Sequence, residues 1–295
     1  MTFKSIKIGV FSFIIVLLFM PLGHTLMILN EKLFEHYKLI GAGIIGFVGV
    51  FLLVYSIRKT KKASTSTLLG LLAGIFVWTG WIEFSFVWVA DKLNIPALYE
   101  NGEVVTKPEY LIMPSSIGLL GSFMLFYLFT KNKCQFFNWF QRIFGLKEHI
   151  KADRIEKPVS ITVFLETIMI LWTFYILLLL VYDKDIAGDK HPMTYIVAFG
   201  SLFWSIYLFL NLIKIKTFDY AIRYAVPTVI IFWNFVEVMG RWDLFKEIWV
   251  HPFEHSLELI VLTALLLGFI IYYIFENKNK KNKNKIIRKT EYLIK

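Results

Sequence analysis

Two histidines and a glutamate lie close together in the segment His251-Pro252-Phe253-Glu254-His255. The His-x-x-Glu-His spacing is that of inverted zinc proteases, in which two imidazoles hold the metal and the carboxylate serves as a base. That chemistry needs both histidines on one regular helix, whereas Pro252 is expected at the first helical position and leaves His251 outside it. The segment therefore disfavours a protease. A metal site at the start of an apolar helix remains an alternative.

Other ionisable residues lie inside long apolar stretches. A charged side chain at mid-membrane costs roughly 2.5–3.5 kcal/mol, so each one needs a reason. On one helix Asn234, Glu237 and Arg241 form a polar stripe. The alternative to a functional site here is that Glu237 and Arg241 only neutralise each other. Among these ionisable residues, Glu166 lies nearest the cytoplasmic side. Its simplest interpretation is a carboxyl group that is protonated and has no partner.

Imidazole and carboxylate together favour zinc, iron or copper, and two histidines with one carboxylate leave coordination positions for a substrate. The predicted metal ligands are His24, His251, His255, Glu83 and Glu237. The predicted catalytic residues are Glu83, Glu237 and Arg241. The carboxylates would be ligands or proton acceptors, and Arg241 would orient a carboxylate or hold an anionic headgroup. Haem between His24 and His255 is an alternative cofactor.

The elements that must position these residues are membrane helices. Of 295 residues, 57% are hydrophobic and only 18% are charged, against about a quarter in soluble domains. Apolar stretches of about 20 residues recur throughout, and each can cross the hydrocarbon core as a helix. We predict an all-α polytopic helix bundle in one domain, 1–277, followed by a disordered basic cytoplasmic tail, 278–295. The eight predicted spans are 8–29, 39–57, 66–89, 110–130, 159–182, 193–213, 224–241 and 255–275.

Charge predicts the orientation of the bundle. Twenty-four of the 32 Lys and Arg residues lie in alternate connections and the two termini, so the positive-inside rule makes both termini cytoplasmic. The protein is thus expected to be a multi-pass protein of the cell inner membrane. At about 1.5 Å per helical residue, His24, Glu83, Glu237 and His255 all reach the outer half of the membrane.

An internal repeat is a further expectation. Glu83 and Glu237 each have an aromatic residue five and two positions before them and a tryptophan five positions after. This similarity suggests two parallel four-helix repeats, 1–131 and 158–277.

Three classes of function remain. We favour an integral membrane enzyme of oxidoreductase or hydroxylase type, with an outward-facing His/Glu site that binds a transition metal or haem and a lipid-soluble or other small-molecule substrate. The alternatives are a proton- or ion-coupled transporter using Glu83, Glu237 and Glu166, and a non-catalytic subunit of a membrane complex. The expected partners are membrane lipids and membrane subunits. A nucleic acid is not expected, because basic tails beside a membrane span usually maintain topology.

Overall fold

Long helices dominate the computed structural model, which describes residues 2–100, 103–130, 135–146 and 158–272. The predicted disordered tail, 278–295, lies outside these residues. Short connections separate helices whose apolar side chains pack into one main core. The helices are α1 (Phe3–Phe34), α2 (Lys38–Lys59), α3 (Ala63–Val77), α4 (Phe84–Leu93), α5 (Pro108–Ile112), α6 (Ile117–Leu128), α7 (Gln135–Ile143), α8 (Val159–Tyr182), α9 (Pro192–Leu212), α10 (Phe218–Arg241) and α11 (Ser256–Tyr272).

Six helical stretches of the described chain are long and apolar enough to cross a membrane. The first, Phe3–Lys59, contains both α1 and α2, which are separated by a 3₁₀ turn at Glu35–Tyr37. Helix α11 is apolar but shorter than these six. The helical fold expected of a multi-pass membrane protein is therefore confirmed, whereas the count of eight spans and the four-plus-four repeat stay predictions.

A wide π-helical turn at Trp78–Glu83 joins α3 to α4. Such turns are rare and often occur at functional sites. Close packing holds this one in place, since a Cβ atom on Gly80 would lie 2.6 Å from the Ala42 carbonyl oxygen of α2. The small residue Gly80 therefore permits the close approach of α2.

At the end of α10, Arg241 and a β-hairpin form a set of contacts that we call the clasp. Strands β1 (Leu98–Glu100) and β2 (Glu103–Thr106) form an antiparallel hairpin. Arg241 donates from both terminal nitrogens to the Thr106 hydroxyl at 3.2 Å and from Nε to Asp189, between α8 and α9, at 2.5 Å. Its guanidinium also lies 4.3 Å from the centre of the Tyr182 ring. One arginine thus joins three segments of the chain.

Two local expectations were wrong. Helix α10 begins at Phe218 rather than near residue 224, so Arg223 lies inside it and its guanidinium is 3.1 Å from Glu166. Glu166 is therefore a member of a buried ion pair and not a lone protonated carboxyl. Helix α11 begins at Ser256, so Pro252 lies in the preceding turn rather than at the first helical position.

Candidate functional site

A cavity of about 870 Å³ lies among α1, α8, α10 and the connecting segment 242–255. Its volume is in the range of small-molecule binding sites. Among the residues predicted for chemistry, its walls contain His24, Glu237, Arg241, His251 and His255. The structure therefore gathers five of the six predicted site residues around one space, although not into one coordination sphere.

His24 and Glu237 meet in the wall of this cavity. His24 Nε2 lies 3.3 Å from Glu237 Oε1 and 3.0 Å from the Tyr175 hydroxyl. The Trp233 indole N–H donates to the same Glu237 oxygen at 2.5 Å. Both side chains are largely buried, at 15% and 23% exposure. Their partners differ from the Glu237–Arg241 pair considered from the sequence, since Arg241 binds Asp189.

Glu83 lies behind the cavity wall rather than on it. The π-helical turn holds its side chain in the interior at 3% exposure, where the Tyr110 hydroxyl donates to Oε1 at 3.2 Å. Tyr110 itself lines the cavity. Glu83 is thus connected to the site through one hydroxyl group.

Aromatic rings form a continuous row along the cavity. The centroid distances between successive rings are 6.1, 6.1, 6.3, 4.9 and 6.0 Å. The members of this aromatic row, all lining the cavity, are Tyr110, Tyr175, His24, Trp233, Trp249 and Phe245. Rings at such separations interact favourably and form a rigid surface.

The end of the cavity nearest the N-termini of α1, α8 and α10 is apolar. On each of α1, α8 and α10, an apolar lining residue precedes the polar one by one or two turns: Met20, Leu171 and Ile230. All three helices begin on the side predicted to be cytoplasmic. The cavity therefore has an apolar floor, and its upper part combines the polar and aromatic groups with apolar side chains such as Met27 and Leu178.

The two histidines of the His-x-x-Glu-His segment lie at the rim. His251 Nδ1 is 3.9 Å from Glu254, and both side chains are more than half exposed. His255 Nδ1 is 3.4 Å from Glu258. Each histidine therefore has a carboxylate partner three residues further along its own segment.

The predicted metal site is not assembled as one cluster. Within the described ranges, no group of three or more His, Cys, Asp or Glu side chains is close enough to hold a metal ion. His24 and Glu237 are adjacent, whereas Glu83 binds Tyr110 and the rim histidines bind their own glutamates. A metal or haem stays a prediction from the sequence.

Glu247 is a member of the site that sequence reasoning missed. It lines the cavity from the 242–255 segment, and its carboxylate lies against Gly240, where a Cβ atom would displace it. Burial raises the pKa of Glu247 to about 7, and the nearby Glu237 carboxylate adds to the effect. The only signal in the sequence was Gly240 at the end of α10, because a glycine permits close contact with another segment.

Comparison with protein family models, with curated proteins and with solved structures gives no match for this chain. The fold itself defines a class, that of helical proteins with several candidate membrane spans. Within this class, the site is an internal cavity with a buried histidine–glutamate pair.

Proposed function

We propose that the protein is an integral membrane enzyme that acts on an amphipathic, lipid-soluble substrate in the cavity. In this proposal His24 and Glu237 transfer protons, and the active site opens toward the outer face of the membrane. The observation that carries the proposal is the contact between His24 and Glu237, 3.3 Å apart in space on two different helices and part of a large cavity wall.

The neighbours of His24 suit a general acid–base role. A carboxylate beside an imidazole orients the ring and stabilises the imidazolium that forms when the ring takes a proton. The Trp233 indole fixes Glu237, and the Tyr175 hydroxyl supplies a second polar contact to the ring. The low exposure of the pair strengthens these electrostatic interactions, because little water competes with them.

The cavity shape supports an amphipathic substrate. Its apolar floor would take a hydrocarbon portion, while the polar portion would lie beside His24 in the aromatic row. Arg241, predicted as a catalytic residue, would act by positioning, since its guanidinium joins the hairpin to the segment after α8.

A metal- or haem-dependent form of the enzyme remains a narrower proposal. His24 and Glu237 would supply two ligands, and His255, which lines the same cavity, would be a third. Elemental analysis and the absorption spectrum of the purified protein test this form. Stoichiometric iron, copper or zinc, or a haem spectrum, that is lost in both His24→Ala and His255→Ala would support it. Protein purified without either would oppose it.

Proton-coupled transport is the second candidate. The observation that favours it is the sequence of protonatable groups from Glu83 through Tyr110 and Tyr175 to His24 and Glu237. Glu166, the acid predicted to work from the opposite side, weakens this candidate because Arg223 binds it.

The enzyme proposal is tested with the full chain in lipid nanodiscs. Wild-type protein, His24→Gln and Glu237→Gln are incubated with a total bacterial lipid extract, and products are compared by mass spectrometry. We expect a substrate–product pair whose conversion is slowed about 10²–10⁴-fold in both variants, the usual contribution of acid–base catalysis. Asp91→Asn is the matched control, because Asp91 binds Lys38 outside the cavity.

Two outcomes contradict the proposal. Conversion by His24→Gln at near wild-type rate would remove the proton-transfer role. Absence of any conversion in nanodiscs, together with pH-driven uptake of an amphiphile into sealed proteoliposomes that both variants lose, would establish the transporter instead.

A further inference from the structure

The charges around the cavity are unequally compensated. Five carboxylates line it, against three Lys and Arg side chains. Two of those cations already bind acids of the protein, since Lys107 Nζ lies 2.9 Å from Glu31 and Arg241 Nε binds Asp189. The third, Lys246, is exposed at the rim. Three histidines also line the cavity, and two of them, His24 and His251, lie beside Glu237 and Glu254. Carboxylates therefore outnumber the Lys and Arg side chains of the cavity.

The excess lies beside the aromatic row. Glu237 accepts from Trp233, and Glu247 belongs to the same short segment as Trp249, whose ring is 4.9 Å from that of Trp233. Burying carboxylates without cations is costly. Burial raises the pKa of the Glu247 carboxyl, and the nearby Glu237 carboxylate raises it further.

An unsatisfied hydroxyl group is an independent sign of a missing ligand. Tyr182 lines the cavity, yet its buried hydroxyl has no hydrogen-bond partner among the described residues. Buried polar groups in native proteins are nearly always paired with protein, water or ligand. This hydroxyl can accept a hydrogen bond from a donor in the cavity.

The faces of tryptophan and tyrosine rings attract ammonium groups, and a carboxylate near such rings supplies the counter-charge. We infer that the ligand of this cavity is an amphiphile with a positively charged ammonium head, which lies against the aromatic row with Glu237 and Glu247 as its counter-charges. The inference rests on the proposed function in taking the cavity as the substrate site, and it adds the chemical class of the substrate. The apolar floor at Met20, Leu171 and Ile230 receives the hydrocarbon chain.

Binding of decylammonium, whose N–H groups can also donate to the Tyr182 hydroxyl, tests the inference. The full chain in nanodiscs of neutral lipid is titrated with this probe at pH 8, where most of the Glu247 carboxyl is ionised. Binding is followed through quenching of tryptophan fluorescence and by calorimetry. Decyl sulfate and decyl maltoside are the anionic and neutral probes of equal chain length. We expect saturable one-to-one binding of the cationic probe, at least tenfold tighter than either of the others.

Variants locate the bound head. Glu247→Gln keeps the shape of the side chain and removes its charge, so it should weaken binding of the cationic probe about five- to tenfold and leave decyl maltoside unchanged. Trp249→Leu removes a ring of the row and should weaken the cationic probe by a similar factor. Asp91→Asn, an equal charge change outside the cavity, should keep the wild-type affinity.

The outcomes separate this inference from the proposed function. Equal or tighter binding of decyl sulfate, or an unchanged affinity in Glu247→Gln, overturns the cationic ligand even if His24→Gln still abolishes lipid conversion. Selective binding of the cationic probe supports the ligand class even if no conversion is found. Equal weakening of all three probes in Glu247→Gln would show a general loss of the cavity and would also overturn the inference.

Discussion

The carboxyl group of Glu247 should make the stability of the protein fall as the pH rises. Its pKa is about 7 in the folded protein, against an ordinary value of 4.5, chiefly because of burial and then because Glu237 is near. A difference of one pH unit corresponds to about 1.4 kcal/mol. Ionised Glu247 therefore destabilises the folded state by about 3 kcal/mol.

The direction follows from proton linkage. Below pH 4.5 the carboxyl is protonated in both folded and unfolded chains, so it has no effect. Between pH 4.5 and 7 only the unfolded chain loses its proton, and the destabilisation grows until it is complete above pH 7. Glu247→Gln, which cannot ionise, should thus be more stable than wild type by less than about 1 kcal/mol at pH 5 and by about 3 kcal/mol at pH 8.

The measurement is the difference in unfolding free energy between the two proteins in nanodiscs, from pH 5 to pH 8.5. Taking the difference removes the contribution of every other titrating group that the two share. The Asp91→Asn curve should run parallel to that of wild type, because Asp91 lies outside the cavity. If the Glu247→Gln and wild-type curves are parallel, or if wild type gains stability with rising pH relative to the variant, the carboxyl is not buried as described.

Three further predictions concern the bundle. Removing either partner of the buried Glu166–Arg223 pair, as Glu166→Leu or Arg223→Leu, should lower the unfolding free energy by about 3–5 kcal/mol, while the double variant recovers most of this loss; additive losses in a double-mutant cycle would contradict the pairing. Gly80→Ala should destabilise by about 1–3 kcal/mol through contact with α2, whereas Gly121→Ala, where a Cβ meets nothing, should not destabilise; equal midpoints for the two variants would exclude the close approach. A cysteine at exposed Val104 should react with an impermeant maleimide added to intact cells, and labelling only after permeabilisation would reverse the predicted orientation.

Sequence reasoning was most successful where one physical quantity decides the structure. Helix α8 was predicted at 159–182, the range it has, because apolar length alone defines a membrane-compatible helix. Equal depth along two helices also predicted that His24 and Glu237 could meet, although depth says nothing about which face a side chain takes.

Contacts that depend on folding of the connections could not be predicted. Asp189 and Glu247 lie in segments that connect helices, where acidic residues are ordinary surface groups. Their burial arises only when those segments pack over the end of α10. Arg223 was missed for a related reason, since its charge suggested a loop while its pairing with Glu166 lets α10 begin earlier.

The clasp made by Arg241 has a consequence for biosynthesis. Its partners Thr106 and Asp189 belong to segments that are synthesised well before residue 241. Arg241 is the last residue of α10. It can therefore join these earlier segments only after α10 has been inserted. The cavity is therefore completed late in translation. A nascent chain released before that helix is made would form a bundle in which these contacts at the cavity rim are missing.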